Sequence, residues 1–221
     1  MRTCFFIPYA GSLGYDSPNW GKQYRNDMNI VMIKYSGRGS RADEEFAETW
    51  EELIEDVYQQ VVTQLDNSDY ILFGHSMGAI VAYEIYYKLY ENSIKLPSHI
   101  FLSGSNPPNM INKRLCTMNE NEIIALGGIP EVILKSKKIL NMVFLIICKD
   151  LDIFRSYNFH KHDKGLKCPV TIINGTEDSL VDCTDLWRFF AENTYKFICL
   201  PGGHFFIFEK TKEIMEMLNT T

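Results

Sequence analysis

A Gly-x-Ser-x-Gly pattern at residues 74–78 is the feature of this sequence that most directly suggests chemistry. The apolar run 70–73 precedes it and the apolar run 79–87 follows it, which predicts a strand, a sharp turn and a helix. A serine in such a turn projects its hydroxyl above the sheet, and glycines at both ends of the pattern let strand and helix approach closely. We therefore predict that Ser76 is a nucleophile. A glycine-containing turn without chemistry is the alternative that the pattern alone leaves open.

A serine hydroxyl needs a base, and His204 is the best candidate in the sequence. It lies in a Gly-Gly-His segment that directly follows the predicted strand 195–200. The other four histidines fit less well: His75 lies inside the turn, His99 precedes a strand, and two more follow a helical segment, at positions 160 and 162. A structural surface histidine is the alternative for His204.

The acid that orients the base is expected to follow the preceding strand, because such turns are followed in the chain by the acid and then the histidine. Asp178 lies just after the predicted strand 170–173 and is favoured. Glu177 is adjacent, and Asp182 is a weaker rival, so both remain open. The end of the strand 99–102 offers Ser103 and Ser105 but no carboxylate.

Acyl transfer at Ser76 would also require donors for a developing oxyanion. The backbone N–H of Met77, at the start of the helix after the turn, is the first candidate. The N–H of Ala10, in the loop after the first strand, is the second. An ordinary glycine-containing turn is the alternative reading of that loop.

Short apolar runs alternate with amphipathic ones along the chain, which predicts an α/β fold with a mostly parallel central sheet flanked by helices. A helix is predicted from Trp50 to Leu65 with Thr49 or an earlier residue as its cap, and a terminal helix from about Phe206. Residues 1–109 and 166–221 are assigned to the core. Residues 110–165 are assigned to a helical lid insert over the carboxyl ends of the strands. The predicted strands are 4–8, 29–34, 70–73, 99–102, 170–173 and 195–200, and the predicted lid helices are 119–126 and 131–151.

Composition excludes several classes of function. The chain of 221 residues has a formal net charge of −6, which disfavours nucleic-acid binding. It lacks a run of about 18 apolar residues, so no membrane span is expected. The apolar segment at residues 1–8 is too short for a signal peptide and runs straight into a turn, so a cytoplasmic location is expected. The six cysteines include no Cys-x-x-Cys pair, so we expect reduced thiols and no metal site.

Six segments together resemble the type II (external, editing) thioesterases of nonribosomal peptide and polyketide synthesis. They are residues 6–11, 37–41, 73–79, 126–130, 168–178 and 201–206, in the order of that family. The resemblance implies an α/β-hydrolase fold and hydrolysis of acyl or aminoacyl thioesters from the 4′-phosphopantetheine arm of carrier-protein domains. We expect a monomer without cofactor or metal, which contacts its partner through basic residues of the lid, namely Arg114, Lys135, Lys137 and Lys138.

Two other functions are compatible with the same residues. A generic carboxylesterase or acyl-CoA thioesterase would use the same three side chains on a free small substrate. A non-catalytic scaffold of the same fold, used for binding, is disfavoured because the three catalytic positions are all filled.

Overall fold

A computed structural model describes residues 2–14, 28–111 and 113–221 of the chain. Six strands of this part form one parallel sheet, in the order β2-β1-β3-β4-β5-β6, which confirms the predicted α/β class. The strands are β1 Arg2–Ile7, β2 Met28–Met32, β3 Tyr70–His75, β4 His99–Ser103, β5 Val170–Gly175 and β6 Tyr195–Leu200.

Helices connect these strands and cover the sheet. The predicted cap of the first is confirmed, since the Thr49 hydroxyl accepts a hydrogen bond from the Glu52 N–H at 3.1 Å. No helix of the described ranges is both long and apolar enough to cross a membrane. The α-helices are α1 Trp50–Val62, α2 Met77–Glu91, α3 Glu120–Ala125, α4 Glu131–Leu134, α5 Lys137–Ser156, α6 Phe206–Glu209 and α7 Thr211–Asn219. The 3₁₀ helices are Gly39–Arg41, Pro108–Met110, Lys113–Thr117 and Thr184–Phe190.

The sheet separates two apolar clusters, as expected for parallel strands covered on both faces. One cluster includes Val57 of α1 and Ile80 of α2. The other places Ile214 and Leu218 of α7 against Phe73 and its neighbours. Every residue of the central strand β3 is buried. The strand ends that carry the candidate residues are therefore held in a rigid frame.

The insert between β4 and β5 differs in detail from its prediction. One helix over 131–151 was expected, but this is wrong: α4 ends at Leu134, and α5 runs from Lys137 to Ser156. The chain leaves the helical conformation at Ser136, which is extended with φ −117° and ψ 100° and so separates α4 from α5. The shorter predicted helix is confirmed as α3, where Asn119 and Glu122 form a capping box.

Candidate active site

Ser76 is the single residue between the end of β3 and the start of α2. Its backbone has φ +56° and ψ −122°, a conformation that costs energy for a residue with a Cβ. The Ser76 N–H donates to the Ser103 carbonyl at 2.8 Å and so ties the turn to β4. A Cβ on Gly74 would lie 2.1 Å from the Gly78 carbonyl oxygen, and a Cβ on Gly78 would lie 2.2 Å from the Ile7 carbonyl oxygen. The two glycines thus permit the close approach that the sequence predicted.

The structure brings together Ser76, His204 and Asp178, which are far apart in the chain. His204 Nε2 lies 2.9 Å from Ser76 Oγ, and His204 Nδ1 lies 2.7 Å from Asp178 Oδ2. All three side chains are buried. The second oxygen of Asp178 accepts the Leu180 N–H at 3.0 Å, which fixes the orientation of the carboxylate. A continuous hydrogen-bonded chain therefore runs from a carboxylate through an imidazole to a hydroxyl.

The two rival acids lie elsewhere. Glu177 is exposed to solvent, although it immediately precedes Asp178. The Asp182 carboxylate accepts a hydrogen bond from the Asn106 amide at 2.8 Å. Asp178 is thus the acid that the fold directs to His204.

His75 packs against His204, with ring centroids 5.1 Å apart. Its Nδ1 lies 3.0 Å from Ser103 Oγ, so this ring does not contact the Ser76 hydroxyl. Burial, and then the proximity of His204, lower the pKa of His75 well below its usual value. A neutral His75 adds no positive charge beside a ring that must itself become positive when it takes a proton.

Both candidate oxyanion donors lie near Ser76. Met77 is the first residue of α2, where backbone N–H groups have no acceptor within the helix and the helix dipole is positive. Ala10 lies in the loop after β1, and it lines the same cavity as Ser76. The arrangement brings together a hydroxyl, an imidazole, a carboxylate and two nearby backbone amides, which are the groups that acyl transfer requires.

A narrow apolar cavity of about 60 Å³ opens at Ser76 and His204. Its walls come from the loop after β1, from the insert and from Phe205. The apolar residues that the insert contributes to it are Leu115, Ile123, Leu126, Ile129, Pro130, Ile133, Val143, Ile147 and Leu151. The insert therefore lies over the carboxyl ends of the strands at this point.

A second cleft reaches Ser76 and His204 from another side. Its walls are more polar, since they include Gly104, Ser105 and Asn106 from the loop after β4. The two openings meet at the serine hydroxyl, so a bound molecule can extend from Ser76 in two directions.

Asp150 is a residue of this region that the sequence analysis did not single out. It is buried on α5 and forms a bidentate ion pair with the buried Arg38. A signal was present, because Asp150 falls at helical spacing on the apolar face that carries Val143, Ile147 and Phe154. A carboxylate at such a position requires a buried partner.

Comparison with known proteins gives a consistent result over the whole chain. A family model described as a thioesterase domain matches residues 2–221. Gramicidin S biosynthesis protein GrsT of Aneurinibacillus migulanus is 26% identical, with 97% of this chain and 86% of that protein covered. The human medium-chain S-acyl fatty acid synthase thioesterase is 27% identical, with 95% and 82% covered.

A solved structure agrees with these relatives. The crystal structure of ClbQ from the colibactin nonribosomal peptide and polyketide pathway superposes with a TM-score of 0.89 at 26% identity, and covers 99% of this chain and 95% of that one. The α/β-hydrolase fold and the resemblance that the six segments indicated are both confirmed. The chain belongs to the thioesterase family and is a hydrolase of thioesters.

Proposed function

We propose that this chain removes acyl or aminoacyl groups from the 4′-phosphopantetheine arm of carrier-protein domains, as an editing enzyme of a nonribosomal peptide or polyketide synthase. Ser76 is the nucleophile, His204 the general base and Asp178 the residue that orients it. The observation that carries this assignment is the hydrogen-bonded chain of 2.9 Å and 2.7 Å from Ser76 Oγ through His204 to Asp178. Neither a metal ion nor an organic cofactor takes part in these steps.

The proposed reaction has two halves. His204 Nε2 accepts the Ser76 proton while Ser76 Oγ attacks the thioester carbonyl, and the N–H groups of Ala10 and Met77 stabilise the oxyanion. The C–S bond then breaks, the pantetheine thiol leaves with the proton from His204, and an acyl-serine remains. Water, activated by the same imidazole, attacks this ester and releases the free acid. A thiolate is a good leaving group, so attack and oxyanion stabilisation limit the rate more than protonation does.

The two openings at Ser76 suit the two parts of such a substrate. We assign the acyl group to the apolar cavity, because its walls are apolar side chains and it opens at Ser76. We assign the pantetheine arm to the second cleft, because it is the other opening at Ser76 and its walls are more polar than those of the cavity. Residues 110–165 would act as the lid over both.

Comparing one acyl group on two carriers tests the partner. We expect kcat/KM on an acyl-carrier protein to exceed that on the corresponding acyl-pantetheine by about tenfold, since docking of the protein adds on the order of 1.4 kcal/mol. Release of the free acid is measured for both, with the p-nitrophenyl oxoester of the same acid as a third substrate. Equal values for the two thioesters, or a preference for the oxoester, would instead favour a carboxylesterase or a small-thioester hydrolase.

The lid offers a surface for this contact. Four exposed basic residues of the lid are the contacts predicted above: Arg114, Lys135, Lys137 and Lys138. Lys135 also pairs with Glu131 at 2.8 Å. Exposed apolar side chains of α5, among them Met142 and Leu145, follow these lysines. We propose that this mixed surface meets an acidic, partly apolar face of the carrier domain, and that the enzyme acts as a cytoplasmic monomer.

Reversing charge on the lid should weaken docking alone. For Lys137→Glu/Lys138→Glu we expect KM for acyl-carrier protein to rise about fivefold to tenfold, because a rim charge contributes on the order of 0.5–1 kcal/mol. Turnover of acyl-pantetheine should be unchanged. The matched control is Lys212→Glu, an exposed lysine on α7 whose ion pair, among the described residues, is with Glu216 of the same helix at 4.0 Å. If the lid and control variants behave alike, the lid is not the docking surface.

A further inference from the structure

The ion pair of Arg38 and Asp150 joins α5 to the body of the protein. Arg38 Nη1 donates to Asp150 Oδ2 at 2.5 Å, and Nη2 donates to Oδ1 at 2.6 Å. The exposed fractions of the two side chains are 3% and 2%. The Arg38 guanidinium also lies 5.5 Å from the centre of the Tyr35 ring and 5.4 Å from that of Phe46. Arg38, which no step of the reaction uses, thus forms its ion pair with one buried carboxylate, that of Asp150.

The same carboxylate reaches the loop after β1. Asp150 Oδ2 accepts the Gly11 N–H at 2.7 Å, in addition to its bond from Arg38. Ile147, one turn earlier on α5, packs so closely on Gly11 that a Cβ there would lie 2.3 Å from its Cγ1 atom. On the other side of the loop, the Tyr35 hydroxyl donates to the Pro8 carbonyl at 2.7 Å.

These two hydrogen bonds flank the peptide that carries the Ala10 N–H. The bond to the Pro8 carbonyl fixes the plane of the Pro8–Tyr9 peptide. The bond from the Gly11 N–H fixes the plane of the Ala10–Gly11 peptide. The Tyr9–Ala10 peptide lies between them, so its rotation is limited from both ends. An oxyanion donor acts only when its N–H points to within about 3 Å of the developing charge.

We propose that Asp150 is a positioning residue, which holds the Ala10 N–H in its catalytic direction through Gly11 while Arg38 holds Asp150. This inference rests on the proposed function, in which Ala10 is an oxyanion donor. The alternative is a purely structural role, in which the ion pair only holds α5 against the core. A buried ion pair is on average a poor source of net stability compared with an apolar pair of similar size, which makes fastening alone a weak reason for it.

Two double variants separate the two roles. Arg38→Met/Asp150→Asn removes both charges but keeps an oxygen that accepts the Gly11 N–H. Arg38→Met/Asp150→Leu removes both charges and that acceptor. With acyl-pantetheine as substrate, we expect the asparagine variant to keep kcat within about threefold of wild type and the leucine variant to lose about 10- to 100-fold in kcat, with KM nearly unchanged in both.

The affinity for a transition-state mimic provides a second measurement, which a purely structural role of the ion pair would leave unchanged. A trifluoromethyl ketone analogue of acyl-pantetheine adds Ser76 Oγ to its carbonyl carbon, the proton passes to His204, and the ketone oxygen becomes an oxyanion. Its affinity should fall in the leucine variant by the same factor as kcat, while an unreactive thioether analogue binds as before. Equal kcat in the two double variants, or equal losses for ketone and thioether, would overturn the proposal.

A further variant covers the case in which the leucine variant does not fold, as judged by its thermal unfolding curve. Tyr35→Phe releases the Pro8 carbonyl on the other side of the same peptide and leaves the ion pair in place. A drop in kcat of about three- to tenfold at constant KM is expected, and an unchanged kcat overturns the proposal. Hydrolysis by Ser76→Ala at the wild-type rate would instead refute the proposed function itself, so the two failures are distinguishable.

Discussion

Replacing Ser76 by alanine is expected to lower kcat for thioester hydrolysis by at least about 10⁴-fold. The hydroxyl is the group that His204 contacts at 2.9 Å, and without it no acyl-enzyme can form. The remaining amides at Met77 and Ala10 would still polarise a bound carbonyl, so a small residual rate above the uncatalysed one is expected. The measurement is release of free acid from a loaded carrier protein and from acyl-pantetheine.

A matched serine provides the control for this substitution. Ser40 is exposed, and its hydroxyl contacts only the Lys34 ammonium among the described residues, at 3.1 Å. Ser40→Ala should therefore hydrolyse like wild type. A fluorophosphonate probe should label wild type and Ser40→Ala but not Ser76→Ala, because labelling needs the activated hydroxyl. Equal acid release by wild type and Ser76→Ala would show that the nucleophile lies elsewhere, and a folded protein whose Ser76 resists the probe would favour a binding scaffold.

The strand ends were the most predictable part of this molecule. Ser76, Asp178 and His204 each lie three to five residues after a short apolar run, with glycine in between, and such runs are recognised from local pattern alone. Once the strands are taken as parallel, their carboxyl ends must meet at one edge of the sheet, so proximity of the three residues follows from topology. The choice of Asp178 over Glu177 was less certain. The two acids are adjacent, and only the conformation of the turn decides which side chain points toward His204.

The insert was less predictable for a physical reason. Its helices carry apolar residues on more than one side. The spacing of apolar residues therefore predicts helical structure there, but it does not predict where one helix ends and the next begins. The break at Ser136 depends on the path that the chain takes over the sheet. The partnership of Arg38 with Asp150, which are 112 residues apart, depends on the same tertiary path. A local pattern can show that a buried acid needs a partner, but it does not show which arginine that partner is.

Asp178→Asn is the second substitution from which we expect a very large effect, a fall in kcat of about 10⁴-fold with KM for acyl-pantetheine little changed. Asp178 Oδ2 lies 2.7 Å from His204 Nδ1, and when Nδ1 carries the proton of the neutral ring, Nε2 is the acceptor that faces the Ser76 hydroxyl. An asparagine can turn its NH₂ group toward Nδ1 and so favour the tautomer whose Nε2 already carries a proton. It also cannot stabilise the imidazolium that forms during attack. The measurement is steady-state kinetics together with a thermal unfolding curve.

Neighbouring acids make this test specific to one carboxylate. Glu177→Gln changes an exposed side chain in the same turn, and Asp182→Asn changes an acid that pairs with Asn106. We expect both to retain kcat within about threefold, because neither carboxylate contacts His204. Removing an exposed charge changes the electrostatic free energy of the protonated His204 ring by only a fraction of about 1 kcal/mol. If Glu177→Gln were the variant with the large loss, the orienting acid would be Glu177, and the turn after β5 would have to rearrange when substrate binds. If all three variants kept their activity, His204 would work without a carboxylate partner, and the 2.7 Å contact would serve only to hold the ring in place.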